Sequence, residues 1–403
     1  MTAQESDTVL PLTATLSHLS AYFSAYYCDQ IEAESGNGRP VSDSYLELLL
    51  PFSTSSALRE IFVKLDKFDS IKTIRYGKLF EVIDALAGDC GYRHCAAARA
   101  DVGKLKDYYI VTASVDGMRA FSAINADEDL KLQAYLSWVG TSSMEVQINV
   151  IACPKNQQLE ELKGSTKFIM VARSKNSGKF RIPPLDVPAL ARAQGQARAD
   201  KRRQIALNSL NLIPPRIEEV TVIHQLFLDS QYLKVQKNSI MTSGGAASTI
   251  RKIKYMKHTV QRSVEVMHYQ DRNIHGKIFG GYLMRKGFEI AFICGCLFTG
   301  NESKIAYHAV DDIQFVSAVS IGAFMEFQAT AIYSRAPFVV VEVMVYDIDV
   351  TTAMKKKTNT MTFIFRSRDD PESLAEVQPR DYEEFISFLA GRRTLDRLVN
   401  TED

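Results

Sequence analysis

One order of patterns occurs twice along this chain, and it constrains the fold more than any single motif. In the first half, an apolar helical run at 79–87 precedes β-rich runs at 109–115, 132–139, 144–150 and 167–172, several alternating at period two. In the second half, a helical run from Tyr282 precedes comparable runs at 308–313, 323–329, 338–345 and 361–366. Val115-Asp116 matches Val310-Asp311 at an offset of 195, Arg173-Ser174 matches Arg366-Ser367 at 193, and Gly77 matches Gly281 at 204. Order and spacing repeat while identities mostly do not. The reading is a duplicated α+β module: one long helix, then antiparallel strands that can wrap it. Each copy spans roughly 110–130 residues, an ordinary domain size.

The segment 273–281 reads Asn-Ile-His-Gly-Lys-Ile-Phe-Gly-Gly and runs directly into the second helix. Glycine lets a backbone approach another backbone or a ligand closely, because no Cβ intervenes. A helix that starts just after the glycines points unpaired N–H groups at whatever lies in front. Such an end can polarise a carbonyl or hold an anion. Tight packing of the glycines is the competing reading.

Composition sets the bounds. With 403 residues, 46% hydrophobic and 24% charged, the chain has the profile of a soluble globular protein with two domains and connecting material. A formal net charge of +1 argues against a nucleic-acid partner. The six cysteines are few for this length and fit a reducing compartment. Cys294-Gly295-Cys296 and Cys90/Cys95 fall in apolar, helix-like stretches and lack a second close-spaced pair with histidines nearby, so buried free thiols are expected rather than a metal site. No apolar run reaches the ~20 residues needed to span a bilayer. The N-terminus is acidic and lacks arginine, unlike a transit peptide.

The punctuation divides the chain into an arm at 1–43 with a helical pattern at Leu16, Leu19, Tyr22, Phe23 and Tyr26, and a first module at 44–178. A linker follows at 179–251, then a second module at 252–370 and a tail at 371–403. Within the linker, the Ala-, Arg- and Gln-rich stretch 189–203 reads as a charged surface helix or a solvated connection. A second amphipathic segment follows Pro214-Pro215, and 243–247 is a flexible break.

With the duplication, the block 270–286, the block 309–315 and the Ser137–Val146 segment in hand, the chain resembles the double-hotdog acyl-coenzyme A thioesterases, closest to their mitochondrial type-nine branch. The resemblance runs from about Asp43 to Arg368. It implies two fused hotdog folds, hydrolysis of fatty acyl-CoA to free acid and CoA, and no bound cofactor. It also implies a homotrimer of double hotdogs and a mitochondrial location, with the cytoplasm as alternative.

In that family the active site lies at the seam, where one module gives a loop amide and a helix N-terminus and the other gives an acid seven residues after its second loop glycine. Counting from Gly77 reaches Asp84; counting from Gly281 reaches Phe288. Glu289 is one residue later, rotated by about 100° on a helix, and cannot point where Asp84 points. Asn273 stands eight residues before Gly281, and the same count before Gly77 reaches Asp69, but Arg75-Tyr76 departs from the usual loop. One composite site is therefore expected: Asp84 as base or nucleophile, Gly281 N–H for the oxyanion, and Asn273 to orient water or carbonyl. A capping role in its own loop is the alternative for Asn273, and a solvated carboxylate the alternative for Asp84.

Ser142 or Ser143 is a candidate for ordering the water. Lys355, Lys356, Lys357 and Arg366 are candidates for the CoA phosphates, against a solvated hairpin. His94 and His308 read as interior or strand histidines. His275 leaves a hotdog enoyl-CoA hydratase as an alternative, and a non-catalytic acyl-CoA binder is the third reading. No Gly-x-Ser-x-Gly elbow supports a serine hydrolase.

Overall fold

The duplication read from spacing is a duplication in space. The computed structural model describes residues 38–64, 73–96, 108–119, 124–125, 127–154, 159–175, 178, 180–240, 252–300, 305–368 and 374–399. The helical pattern at 16–26, the break at 243–247 and Asp69 lie outside these residues.

The first module contains β1 (Leu46–Leu50), α1 (Tyr76–Cys95), β2 (Tyr108–Arg119), β3 (Asp129–Val139), β4 (Ser143–Cys153) and β5 (Glu161–Ser174). Helices α2 (Ala189–Leu207) and α3 (Ile217–Ile240) follow. The second module contains β6 (Gln261–Val266), α4 (Gly280–Thr299), β7 (Ile305–Phe315), β8 (Phe324–Arg335), β9 (Phe338–Ile348) and β10 (Lys355–Ser367), and α5 (Tyr382–Val399) closes the chain. Ten strands form one sheet in the order β6-β8-β9-β10-β7-β2-β5-β4-β3-β1. The order is palindromic: each half repeats the other outward from the antiparallel β2·β7 seam, where Asp116 faces Asp312.

Alternation aims the strands. In β3, Leu130, Leu132, Ala134 and Leu136 are buried while the residues between them are half-buried. Successive side chains of a strand point to opposite faces, so these four line the face that packs on α1. Helices α1 and α4 then pack on each other inside the curved sheet. A Cβ on Gly281 would stand 2.8 Å from Glu81 Cα, and one on Gly77 would stand 3.0 Å from Arg285 Cγ. These are one contact seen twice under the offset of 204, and they show why both positions are glycine. Glu81 and Arg285, themselves equivalent, form an ion pair at 3.1 Å.

Buried polar groups repeat as well. Ser44 Oγ accepts from Leu136 N–H (3.1 Å), and the Cys90 thiol donates to Ser44 O (3.0 Å). Thr259 Oγ1 accepts from Ala331 N–H (3.1 Å), and the Cys294 thiol donates to Thr259 O (3.3 Å). Burial pushes the Cys294 thiol up to about 12, and the Cys90 thiol is raised the same way. Both are inert packing groups.

Each module is followed by a helix that covers it. Helix α2 is docked rather than solvated. Gly195 lies against the Trp138 indole, and Arg198 (2.7 Å) and Arg202 (2.7 Å) hold the fully buried Glu145, with Arg202 also reaching Asp116 at 3.0 Å. Helix α5 does the same in the second half: Gly391 lies against Tyr333, and Arg397 holds Asp311 at 2.6 Å. Gly195/Gly391, Trp138/Tyr333, Arg202/Arg397 and Asp116/Asp311 are offset by 195 or 196. Each module thus ends with its own covering helix, and α3 is the connecting element.

Candidate active site

Strand β7 pairs with β2 at residues 114–119. Along 108–113, β2 is an open edge among the described residues, and a slot separates it from segments 273–280 and 315–319. The floor is one face of α1, where Asp84, Gly88 and Tyr92 follow at intervals of four. The cavity is about 800 Å³, within the size range of small-molecule sites.

Asp84 is the buried charge in this slot, 3% exposed. Its Oδ1 accepts from Thr112 Oγ1 at 2.7 Å, and its Oδ2 accepts from the Gly281 N–H at 2.6 Å. Burial raises its pKa to about 6, opposed by these two hydrogen bonds, which favour the ionised form. A carboxylate so held is ionised at neutral pH and basic enough to take a proton.

The glycine pair differs from expectation. Helix α4 begins at Gly280, not after the glycines, and the Gly281 N–H is given to Asp84 rather than left for an oxyanion. Gly280 lines the slot at the same helix end, where N–H groups have no intrahelical acceptor.

Asn273 also lines the slot, with its Oδ1 taken by two loop N–H groups, His275 at 2.9 Å and Lys277 at 3.1 Å. It is therefore a loop cap, and what it has left for a ligand is the Nδ2 donor. His275 meets the Tyr92 hydroxyl, which in turn accepts from Ile110 N–H at 2.9 Å. Burial, then the nearby Lys175, lowers the His275 pKa, so the ring is neutral. Its partner is Tyr92 rather than Asp84.

The equivalent place in the second module is packed shut. Phe288 has its ring 5.3 Å from Phe80, 5.6 Å from Tyr307 and 5.7 Å from Phe363. Glu289 points away and pairs with Arg75 at 2.8 Å.

Two expectations fail on register. Ser142 lies in the β3–β4 turn and Ser143 opens β4; their carbonyls accept from Ala172 and Gly140, and neither residue lines the slot. Thr112 is the hydroxyl at the acid. The alternation of Val111, Ala113 and Val115 would set Thr112 on the other face, and the β-bulge between Thr112 and Ser114 breaks that alternation, so its meeting with Asp84 was not legible. Lys355, Lys356 and Lys357 open β10 against the end of β9, with Lys355 paired to Glu326 at 2.6 Å, and Arg366 lies opposite Phe338. The slot's basic residues are instead Arg173, Lys175 and Lys277, all exposed at its rim. Arg366 is the repeat mate of Arg173 and does not line the slot. His94 is buried with Nε2 2.9 Å from Pro183 O, and His308 packs on Phe338, as expected.

No family model matches the sequence. Human acyl-coenzyme A thioesterase 9, mitochondrial, is 30% identical over 372 residues, covering 90% of this chain and 80% of the human one. The chain belongs to the double-hotdog acyl-coenzyme A thioesterase family. Within it, the similarity is to the type-nine branch: the bovine thioesterase 9 is likewise 30% identical over 370 residues. Among solved structures, an acyl-CoA hydrolase from Staphylococcus aureus in complex with butyryl coenzyme A aligns with 37% of this chain and 92% of its own, at 22% identity and a TM-score of 0.35. An acyl-ACP thioesterase from Bacteroides thetaiotaomicron aligns over 81% of this chain and 99% of its own, at 11% identity and a TM-score of 0.41. Each module of this double-hotdog thioesterase, a long helix wrapped by five antiparallel strands, is one hotdog.

Proposed function

We propose that this chain hydrolyses fatty acyl-CoA thioesters to free acid and CoA, at one composite site between its two hotdogs. The observation that carries the reading is the hydrogen bond from Gly281 N–H to Asp84, which joins the helix end of one module to the buried acid of the other. Asp84 acts from its ionised form, as base toward water or as nucleophile through an anhydride; labelling with oxygen-18 water in a single turnover separates the two. The Gly280 N–H and Asn273 Nδ2 meet the carbonyl oxygen as charge develops on it, each such donor being worth about 10²–10³ in rate. The leaving thiolate hardly needs protonation, since thiols ionise near ~8.5. Arg173, Lys175 and Lys277 offer positive charge to the phosphates of CoA, which stay outside the slot.

No cofactor enters this chemistry, because CoA is part of the substrate. The pairing of His275 with Tyr92 favours hydrolysis over hydratase chemistry, which would set the histidine to work beside the acid. Asp84→Asn and Asn273→Ala are each expected to remove most thiol release in a dye-coupled assay with the fold intact; unchanged rates in both would defeat this site, and a wild type that binds acyl-CoA yet releases no thiol would be a binder only. The mitochondrial names of the relatives support a mitochondrial location, which subcellular fractionation tests. Family resemblance supports a trimer, which light scattering on the purified protein tests.

A further inference from the structure

Two hydrogen bonds tie segment 273–281 of the second module to α1 of the first. One joins the Gly281 N–H to Asp84 at 2.6 Å, and the other joins the His275 ring to the Tyr92 hydroxyl at the slot's rim. Their anchor points on α1 are eight residues apart, about 12 Å along the axis, on the face that floors the slot. The chemistry described above uses only the first.

The second can be followed bond by bond. The Tyr92 hydroxyl accepts from Ile110 N–H at 2.9 Å, on the open edge of β2. Burial raises the Tyr92 pKa, so the phenol keeps its proton and donates it to the neutral His275 ring. That ring also lies beside two aromatic rings of the first module, 6.0 Å from Tyr92 and 5.7 Å from Tyr109. From the ring the tether passes into the loop. His275 N–H donates to Asn273 Oδ1 at 2.9 Å, which sets the plane of the amide whose Nδ2 remains for a ligand. The base of the loop is held by its own module, through Ile278 N–H to Val319 O (3.0 Å) and Phe279 N–H to Asp271 O (2.9 Å).

The idle copy supplies the comparison. Under the offset of 204, Phe288, Cys296 and Ile71 stand where the working copy has Asp84, Tyr92 and His275. Phenylalanine and isoleucine side chains have no polar atom to offer, so neither tie can form there. The acid and the second tie are kept in the same copy and missing from the same copy.

We propose that Tyr92 and His275 are positioning residues, which together latch the turn at 273–276 onto α1 and thereby aim Asn273 Nδ2 at the thioester carbonyl beside Asp84. This rests on the thioesterase reading, which gives that Nδ2 its task.

The test uses Tyr92→Phe, which deletes the hydroxyl alone, and His275→Leu, which leaves the Tyr92–Ile110 bond in place. Each is expected to lower kcat on octanoyl-CoA by at least about tenfold with KM within about twofold, since a misaimed donor weakens the transition state more than binding. In an Asn273→Ala background the aimed group is gone, and the same substitutions are expected to cost less than about twofold more. The full penalty again in that background would show an effect spread through the fold, and would overturn the proposal. So would a loss in Tyr92→Phe that His275→Leu does not share. Hydrogen exchange reads the latch without turnover: the amides of 273–281 should exchange about tenfold faster in both variants, and unchanged exchange would overturn it. Should the wild type release no thiol, the hydrolase reading falls while the exchange result still decides the latch.

Discussion

Asp84 holds its charge where water hardly reaches, with one hydroxyl and one backbone N–H to steady it. In the proposed mechanism the ionised form does the work, so kcat/KM should rise with pH through a midpoint of about 6 and level off above it. Thr112 steadies the ionised form, so Thr112→Val should move that midpoint upward; a profile unchanged in position would remove Thr112 from this role. Stability runs the other way. The folded chain keeps the Asp84 proton up to about pH 6, whereas an unfolded aspartate releases it near 3.8. Folding therefore becomes less favourable as pH rises from about 4 to about 6, and the deficit stays constant above that. Asparagine can accept from Gly281 and donate to Thr112 without the charge. Asp84→Asn should then be inactive yet more stable at pH 8, by on the order of 2 kcal/mol, with little gain at pH 4, as read from urea unfolding at the two pH values.

Periodicity made most elements legible, because a strand half-buried on the sheet must alternate, as in β3, and a helix buried against its twin must be apolar, as in α4. Asp84 and Asn273 were legible by counting from the glycines, since a helix turns that count into a direction. Helix α2 was not. Its sequence is rich in charge, and its buried partners Trp138 and Glu145 come from strands some fifty residues earlier, so its docking depends on tertiary contact alone. Thr112 and the rim residues Arg173 and Lys175 were missed for the same reason: register decides which polar group faces the slot. The docking is testable. Gly195→Val would drive a side chain into the Trp138 indole and lift α2 from Glu145, leaving that buried carboxylate without its arginines. A loss of roughly 3 kcal/mol is expected, with new proteolytic cleavage within α2; a variant as stable as wild type would show that α2 is not held there.

At the scale of the molecule, one sheet passes through both modules and two helices pack inside it, so neither half has a core of its own to melt separately. Calorimetry should show one cooperative unfolding transition, and two resolved transitions would contradict the shared core. The aromatic plug around Phe288 carries a last implication. Two identical subunits meeting on a true dyad share every mutation, so exchanging the acid for phenylalanine would extinguish both clefts together. Joined in one polypeptide, the copies are free to diverge: one keeps the reaction while the other turns its idle cleft into ballast that stiffens the working half.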